Sequence, residues 1–312
     1  MKNNISAGIV LFHPERERLI HNIDNISKDV DHIYLYNNGI SDILLEELEN
    51  NSKVCIIGNG DNVGIATALN QIMKKAKING DGWVITYDQD SISDSKLLFE
   101  YKKIINEYPD VAILCPQVLD ERRKYIKPIL NNKIESVSRC ITSASCTRIG
   151  AWENVGGFDD FLFIDLVDND FCKRLKLNNW RILRLNNVIL NQQFGNVELK
   201  DTKTVNRVLF LSDFVKNKLH MKNLATNIGK LSYKKQVSPL RVYYTNRNVI
   251  YLNKKFSNYD GIGYDCFNCK SYIGFQVCFN LASFLRGKNK IKIVQAILLG
   301  MKDGIRSKVK SL

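Results

Sequence analysis

Residues 6–118 alternate between short apolar, β-rich runs and longer stretches of helical period. SAGIVLF (6–12), HIYLYNNG (32–39), KVCIIG (53–58), GWVITY (82–87) and VAILCPQV (111–118) read as strands. PERERLIHNIDNI (14–26), SDILLEELEN (41–50), IATALNQIMKKAK (65–77) and SDSKLLFEYKKIINEY (93–108) read as the helices between them. A β-α-β-α-β-α-β-α-β succession with short connections can bury its apolar faces in few ways. It predicts an α/β fold, a Rossmann-like, mostly parallel sheet with helices on both faces. In such sheets ligands sit beyond the carboxyl ends of the strands.

The pattern then changes. Residues 120–150 read as shorter strands and loops, DFCKRLKLNNW (170–180) as a short basic helix, and RILRL (181–185) and NVILNQQFG (187–195) as two further strands. From about residue 205 the chain reads as helical, which predicts an α/β catalytic domain over 1–204 and a helical region over 205–312. The 312 residues, 45% of them hydrophobic, suffice for a substantial core and exclude a disordered chain. No apolar run reaches the ~18–20 residues a spanning helix needs. The start, MKNNISAGIVLFHPERE, lacks a basic n-region followed by a cleavable apolar core. The eight cysteines mostly lie in apolar runs as small reduced hydrophobes. Cys266 and Cys269 form an isolated C-x-x-C with no second pair for zinc. These features predict a cytoplasmic, thiol-reduced protein.

Charge separates the two regions further. Residues 200–312 carry 22 Lys and Arg against 5 Asp and Glu, a net +17, whereas residues 1–199 carry −4. A basic tail suits a phosphorylated ligand, an anionic membrane or nucleic acid; a solvated lysine-rich surface is the simplest alternative. No nucleic-acid-binding motif is present, so nucleic acid is not an expected partner. The last helices suit lying on a membrane surface and packing on the front domain, two compatible roles, and they also suit joining copies of the chain.

Three stretches carry candidate chemistry. In YDQDS (87–91) an apolar strand ends in Asp88 and Asp90, which point the same way in extended backbone and suit a hard divalent cation such as Mg²⁺ or Mn²⁺. Turns are rich in Asp, so D-x-D alone is weak; its place after a central strand strengthens it. GNGDNVGIATALNQ (58–71) is a glycine-bearing loop open to close approach by a nucleotide. Its glycine spacing departs from the dinucleotide fingerprint, and the chain has no Walker lysine. In GGFDDFLFIDLVDNDFCKRL (156–175), Asp165 and Asp168 follow bulky apolar residues, where a carboxylate can have a raised pKa and act as a base. The plainer account is a solvated helix start, its acids favoured by the helix dipole.

Taken in order, these stretches resemble inverting family 2 glycosyltransferases of the GT-A fold, in the bacterial rhamnosyltransferase branch. SAGIVLFHP resembles the opening strand, and YNNGISD the turn V-D-N-G-S, with Asn38 where a nucleoside-binding acid often lies. GDNVGIATALNQ resembles E-N-x-G-x-x-x-A-x-N, matching at Asn62, Gly64 and Asn70. YDQDS matches the branch's D-Q-D-S, so the resemblance implies donor contacts from Asp88, Gln89 and Asp90. VGGFDDFLFIDLVDNDFCKRL resembles the acceptor-side segment ending in a D-x-x-x-R helix. SPLRVYYTNRNVIYL resembles R-x-Y-Y-x-x-R-N, and GMKDG a late G-x-x-D-G. Two departures stand out. Gln192 in NQQFG occupies the place of a metal-contacting His, and Gln is a weak metal ligand, so Asp90 with the diphosphate would carry most of the coordination. Val167-Asp168 replaces the family's Glu-Asp, leaving Asp168 as the first candidate base and Asp165 as the second.

The resemblance implies transfer of a sugar from a nucleotide donor to an acceptor hydroxyl with inversion, assisted by Mg²⁺ or Mn²⁺. The implied donor is dTDP-rhamnose and the implied acceptor a lipid-linked glycan or polysaccharide at the inner membrane face. Arg174 and Arg247 are candidates for steadying phosphate or acceptor, with helix salt bridging the plainer role for Arg174. Two other classes stay open: a metal-dependent nucleotidyltransferase, and a non-catalytic basic protein binding nucleic acid or membrane.

Overall fold

The computed structural model describes residues 4–40, 42–89, 91, 95–120, 122–123, 126–131, 133–192, 197–259, 264–267, 269 and 271–309. The chain divides into two compact units: residues 1–118 with 129–191, and residues 119–128 with 192–312.

In the first unit the five expected strands are β1 (Ile5–Leu11), β2 (Ile33–Asn37), β3 (Val54–Ile57), β4 (Trp83–Tyr87) and β5 (Val111–Leu119). They join β6 (Ile134–Ser136), β7 (Ser145–Arg148) and β8 (Arg181–Asn191) in one eight-stranded sheet, ordered β3-β2-β1-β4-β7-β5-β8-β6. β3, β2, β1 and β4 run parallel, whereas β7 is antiparallel to both β4 and β5. Helices α1 (Arg16–Ser27), α2 (Asp42–Glu49), α3 (Ile65–Ile78) and α4 (Ser95–Ile105) fill the first four crossovers, and α5 (Ile149–Asn154) and α6 (Val167–Leu177) follow.

The period-2 pattern of β1 shows why helices cover both faces. Ile5, Ala7, Ile9 and Leu11 enter a core with Leu19 and Ile23 of α1 and Leu98 and Tyr101 of α4. Gly8 points the other way, and a Cβ there would lie 2.6 Å from Ile72 of α3. The missing side chain lets α3 sit directly on the sheet.

Two expectations are corrected. RILRL and NVILN form one eleven-residue strand, β8. The turn-prone Asn186 is buried and held in register, its Oδ1 accepting from Arg184 Nε at 2.9 Å and its carbonyl from Gln117 Nε2 at 3.3 Å. The helix expected from residue 170 begins at Val167, which places Asp168 in its first turn.

The second unit is mainly helical. It contains β9 (Val197–Leu199), α7 (Thr202–Asn217), α8 (Lys222–Gly229), β10 (Tyr233–Lys235), α9 (Pro239–Lys255), α10 (Tyr272–Phe275), α11 (Ala282–Arg286) and α12 (Lys290–Arg306). A π-helical turn, Gln276–Leu281, joins α10 to α11. The GMKDG motif is a packing device. A Cβ on Gly300 would collide with Tyr243 O, one on Gly304 would lie 2.8 Å from Arg247 O, and Asp303 accepts from Tyr243 Oη at 2.7 Å. The glycines thus let α12 approach the backbone of α9.

Candidate active site

The parallel register brings the carboxyl ends of β1, β2 and β4 together: Leu11 is level with Asn37, and Ile9 with Tyr87. Asp88 and Gln89 leave the sheet at this edge. Gln89 does not reach outward. Its Oε1 accepts from Phe12 N at 2.8 Å and its Nε2 donates to Phe12 O at 3.0 Å, which ties the end of β4 to the end of β1. The turn is closed from below by Ser143, whose Oγ lies 2.8 Å from Ser91 Oγ and accepts from Asp88 N at 3.4 Å. Ser91 N donates to Asp88 O at 3.0 Å. Asp90, the second carboxylate of the motif, lies outside the described residues.

The glycine-bearing loop is fixed by asparagines. Asn38, 2% exposed, donates to Asn62 Oδ1 at 3.1 Å and accepts from Val63 N at 2.8 Å. Asn62 Oδ1 also accepts from Gly64 N at 3.2 Å. Asn38 therefore meets the loop, not open solvent. Gly64 starts α3 with φ +81°, and a Cβ there would lie 2.5 Å from Phe163 Cδ2 and 2.7 Å from Phe163 O. Gly64→Ala is expected to destabilise the first unit by roughly 1–3 kcal/mol through backbone strain, readable in urea unfolding.

Asn70, expected to contact the donor, bonds inside the protein. Its Nδ2 donates to Phe158 O at 2.9 Å and Asp160 Oδ1 at 2.7 Å, while its Oδ1 accepts from Trp152 Nε1 at 3.0 Å and Phe158 N at 2.8 Å. All four hydrogen-bonding positions of the amide are used inside the protein. Its work is to clasp α3 to the segment that carries the acids.

That segment is strained where it delivers them. Phe163, Asp165 and Leu166 have φ of 46°, 68° and 64°. Each such non-glycine residue costs on the order of 1–3 kcal/mol and persists only when neighbours over-determine it. One such neighbour is α3, whose Ile65 N donates to Phe163 O at 2.6 Å. The reversed backbone ends at Val167, so Asp168 emerges in the first turn of α6 beside Phe158, Phe171, Ile141 and Cys172, which line a cavity of about 10 Å³ with it.

Burial pushes the Asp168 carboxyl up to about 6, and the charges of Asp165 and Asp88 push it the same way. The N–H of Asn169, 2.9 Å from Asp168 Oδ1, pulls in the opposite direction without prevailing. Asp88 and Asp165 therefore lie close enough to Asp168 for their charge to act on it, and the site favours positive charge. Among the described residues no group of three His, Cys, Asp or Glu is arranged to hold an ion. A carboxylate such as that of Asp88 is the kind of hard oxygen donor that Mg²⁺ or Mn²⁺ prefers, and the repulsion that Asp88 and Asp165 exert on Asp168 fits a cation.

The remaining candidates belong to the second unit or face inward. Arg174 takes the plainer of its two roles: Nε and Nη2 donate to buried Asp170 Oδ2 at 2.8 and 2.6 Å, and Nη1 donates to Val155 O at 2.5 Å. It is 7% exposed and locks α6 to the end of α5, so it is a structural clamp. Arg247 belongs to the second unit, where Nε donates to Asn248 Oδ1 at 2.9 Å and the guanidinium lies 4.7 Å from the Tyr244 ring. Gln192 is also in the second unit, its N donating to Leu119 O at 2.8 Å. Sequence reasoning missed Ser143, Asp160 and Phe163, which position the site. Asp160 stood within the acidic run, but nothing in TSAS (142–145) marks Ser143.

Known proteins are similar to this chain in sequence and in fold. Residues 9–158 match the family model for glycosyl transferase family 2. The protein described as dTDP-rhamnosyl transferase RfbF from Shigella flexneri is 29% identical over 192 residues, covering 56% of this chain and 64% of that relative. The chain thus matches just under two thirds of that relative's length. The crystal structure of S. aureus TarS 1-349 in complex with UDP aligns at a TM-score of 0.50 and 12% identity, covering 96% of this chain and 89% of that one. Likeness at that identity concerns the fold alone, and the fold is the expected GT-A sheet with a C-terminal helical region. Residues 9–158, just under half of the chain, thus resemble glycosyl transferase family 2, and that family is the one to which the chain is similar.

Proposed function

We propose that the protein transfers a sugar, L-rhamnose from dTDP-rhamnose, to a hydroxyl of a lipid-linked or polysaccharide acceptor in cell-surface polysaccharide biosynthesis, with inversion at the anomeric carbon. The observation that carries this reading is the set of acids at the sheet edge: Asp88 on the strand end, and Asp168 with a raised pKa in the first turn of α6. The donor sugar rests on the Shigella relative's description.

In this reading the acceptor oxygen forms a bond to the anomeric carbon as the bond to the diphosphate oxygen breaks. Asp168 takes the acceptor's proton, and the nucleoside diphosphate leaves. Asp165 stands beside the base and is second candidate for its role. Asp88 and Asp90 would hold the Mg²⁺ or Mn²⁺, which neutralises charge on the leaving diphosphate when bound. In this reading the loop at Asn62 and Gly64 lies against the nucleotide, and Gln89 keeps the Asp88 turn in place through Phe12. Holding donor and acceptor in line supplies several kcal/mol of the barrier.

A panel of sugar nucleotides tests the proposal, scored for nucleoside diphosphate release. dTDP-rhamnose with Mg²⁺ or Mn²⁺ is expected to react fastest. Chelation with EDTA should lower the rate by about a hundredfold or more, and added Mg²⁺ or Mn²⁺ should restore it. Release of pyrophosphate would instead mark a nucleotidyltransferase, and an undiminished rate in EDTA would remove the metal from the scheme.

A further inference from the structure

The last two helical stretches of the second unit bury one face and leave the other apolar face exposed. On residues 272–286 the buried side carries Phe275, Asn280 and Ser283. The opposite side presents Ile273, Val277, Leu281 and Leu285 at intervals of four, Ile273 76% and Leu285 65% exposed. An α-helix would drift this series around its axis, since four residues exceed one turn. The π-helical turn Gln276–Leu281 winds more widely and counters the drift. On α12, Ile293, Ala296, Gly300 and Gly304 are buried, while Ile291 and Leu298 are 72% and 61% exposed, with Val294 between them. Where the helices meet, Phe284, Lys290, Ile291, Val294 and Gln295 line an open cleft of about 260 Å³.

The helices are joined rigidly. Lys290 Nζ donates to Phe284 O and Leu285 O at 2.6 and 2.7 Å, and Asn289 Oδ1 caps α12 by accepting from Lys292 N at 3.0 Å. A Cβ on Gly287, at the bend, would lie 2.8 Å from Ile293.

Charge identifies the occupant. Residues 271–306 hold six Lys and Arg and one acid, Asp303, which is engaged by Tyr243. Arg286, Lys288 and Lys292 are exposed beside the leucines. An apolar face with a basic rim fits the boundary between acyl chains and anionic headgroups. Two copies meeting through this face would bring like-charged rims together. Among the described residues no helix is long and apolar enough to cross a membrane, so the face would lie on a bilayer surface. We propose that residues 272–306 form a docking face for an anionic lipid bilayer, seated through Ile273, Leu281, Leu285, Ile291 and Leu298.

Vesicle flotation of the full chain at low salt tests this. The protein should float with phosphatidylglycerol–phosphatidylcholine vesicles and stay behind with phosphatidylcholine alone. Leu281→Asp with Leu285→Asp should lower the vesicle partition coefficient at least tenfold while circular dichroism and the melting temperature hold. Lys288→Gln and Lys292→Gln should each lower it about fivefold at low salt. Phe210→Asp on α7, where Phe210 is also exposed, should leave it unchanged. Equal flotation with both vesicle types, or loss of flotation in the Phe210 variant alone, would overturn the proposal. So would a dimer in light scattering that Leu281→Asp abolishes, since a second copy would then cover the face.

Discussion

Asp168→Asn is expected to lower kcat by about 10²–10⁴-fold, with the dissociation constant for the nucleotide donor nearly unchanged. The substitution keeps the side chain's size and its acceptor for Asn169 N, 2.9 Å away, but removes the ability to take a proton. In the wild type, kcat should rise with pH through about 6 and level off above it, because the base works only when ionised and burial holds its pKa near that value. That rise should be absent from the residual activity of the variant.

Stability gives an independent reading with the opposite sign. The folded-state pKa of Asp168 lies above its ordinary value, so the folded protein binds the extra proton more readily than the unfolded chain does. This contribution is fully present below the ordinary value of about 4 and is lost as pH rises through about 6. At pH 7 the wild type therefore holds a disfavoured carboxylate. Asp168→Asn should stabilise the fold there, by on the order of 1–3 kcal/mol, in urea unfolding. A residue with only a structural role would not combine lost turnover with gained stability. An unchanged kcat would move the base to Asp165.

The parallel part of the sheet was legible because its strands and helices each carry their own period. The antiparallel insertion was not. β7 reads Ser-Cys-Thr-Arg, four residues without apolar alternation. Cys146 enters the core while the guanidinium of Arg148 lies 4.4 Å from the ring of Trp83, so its neighbours place it. The site shows a similar divide. Its motifs marked the sheet edge and the acidic segment, yet Asn70 and Gln89 spend their amides on backbone and neighbouring side chains. A motif records that a residue type is required. It does not say whether the requirement comes from a ligand or from the loop beneath it.

Arg174→Met should carry the largest stability cost, about 3–5 kcal/mol in urea or thermal unfolding. Asp170 is fully buried, and Arg174 is its ion-pair partner four residues along α6. Removing the guanidinium leaves the carboxylate without that partner and also takes the third bond from Val155 O. The cost is that of stranding one member of a desolvated pair, so it should largely vanish when both go. Asp170→Leu with Arg174→Met, two apolar side chains in place of the pair, is expected to recover most of the loss. Recovery would separate the clamp from any contact with substrate, because the double variant lacks the guanidinium yet keeps α6 and Asp168 in position. It should therefore also keep measurable sugar transfer. A double variant that folds as well as wild type but has lost turnover completely would return Arg174 to the chemistry.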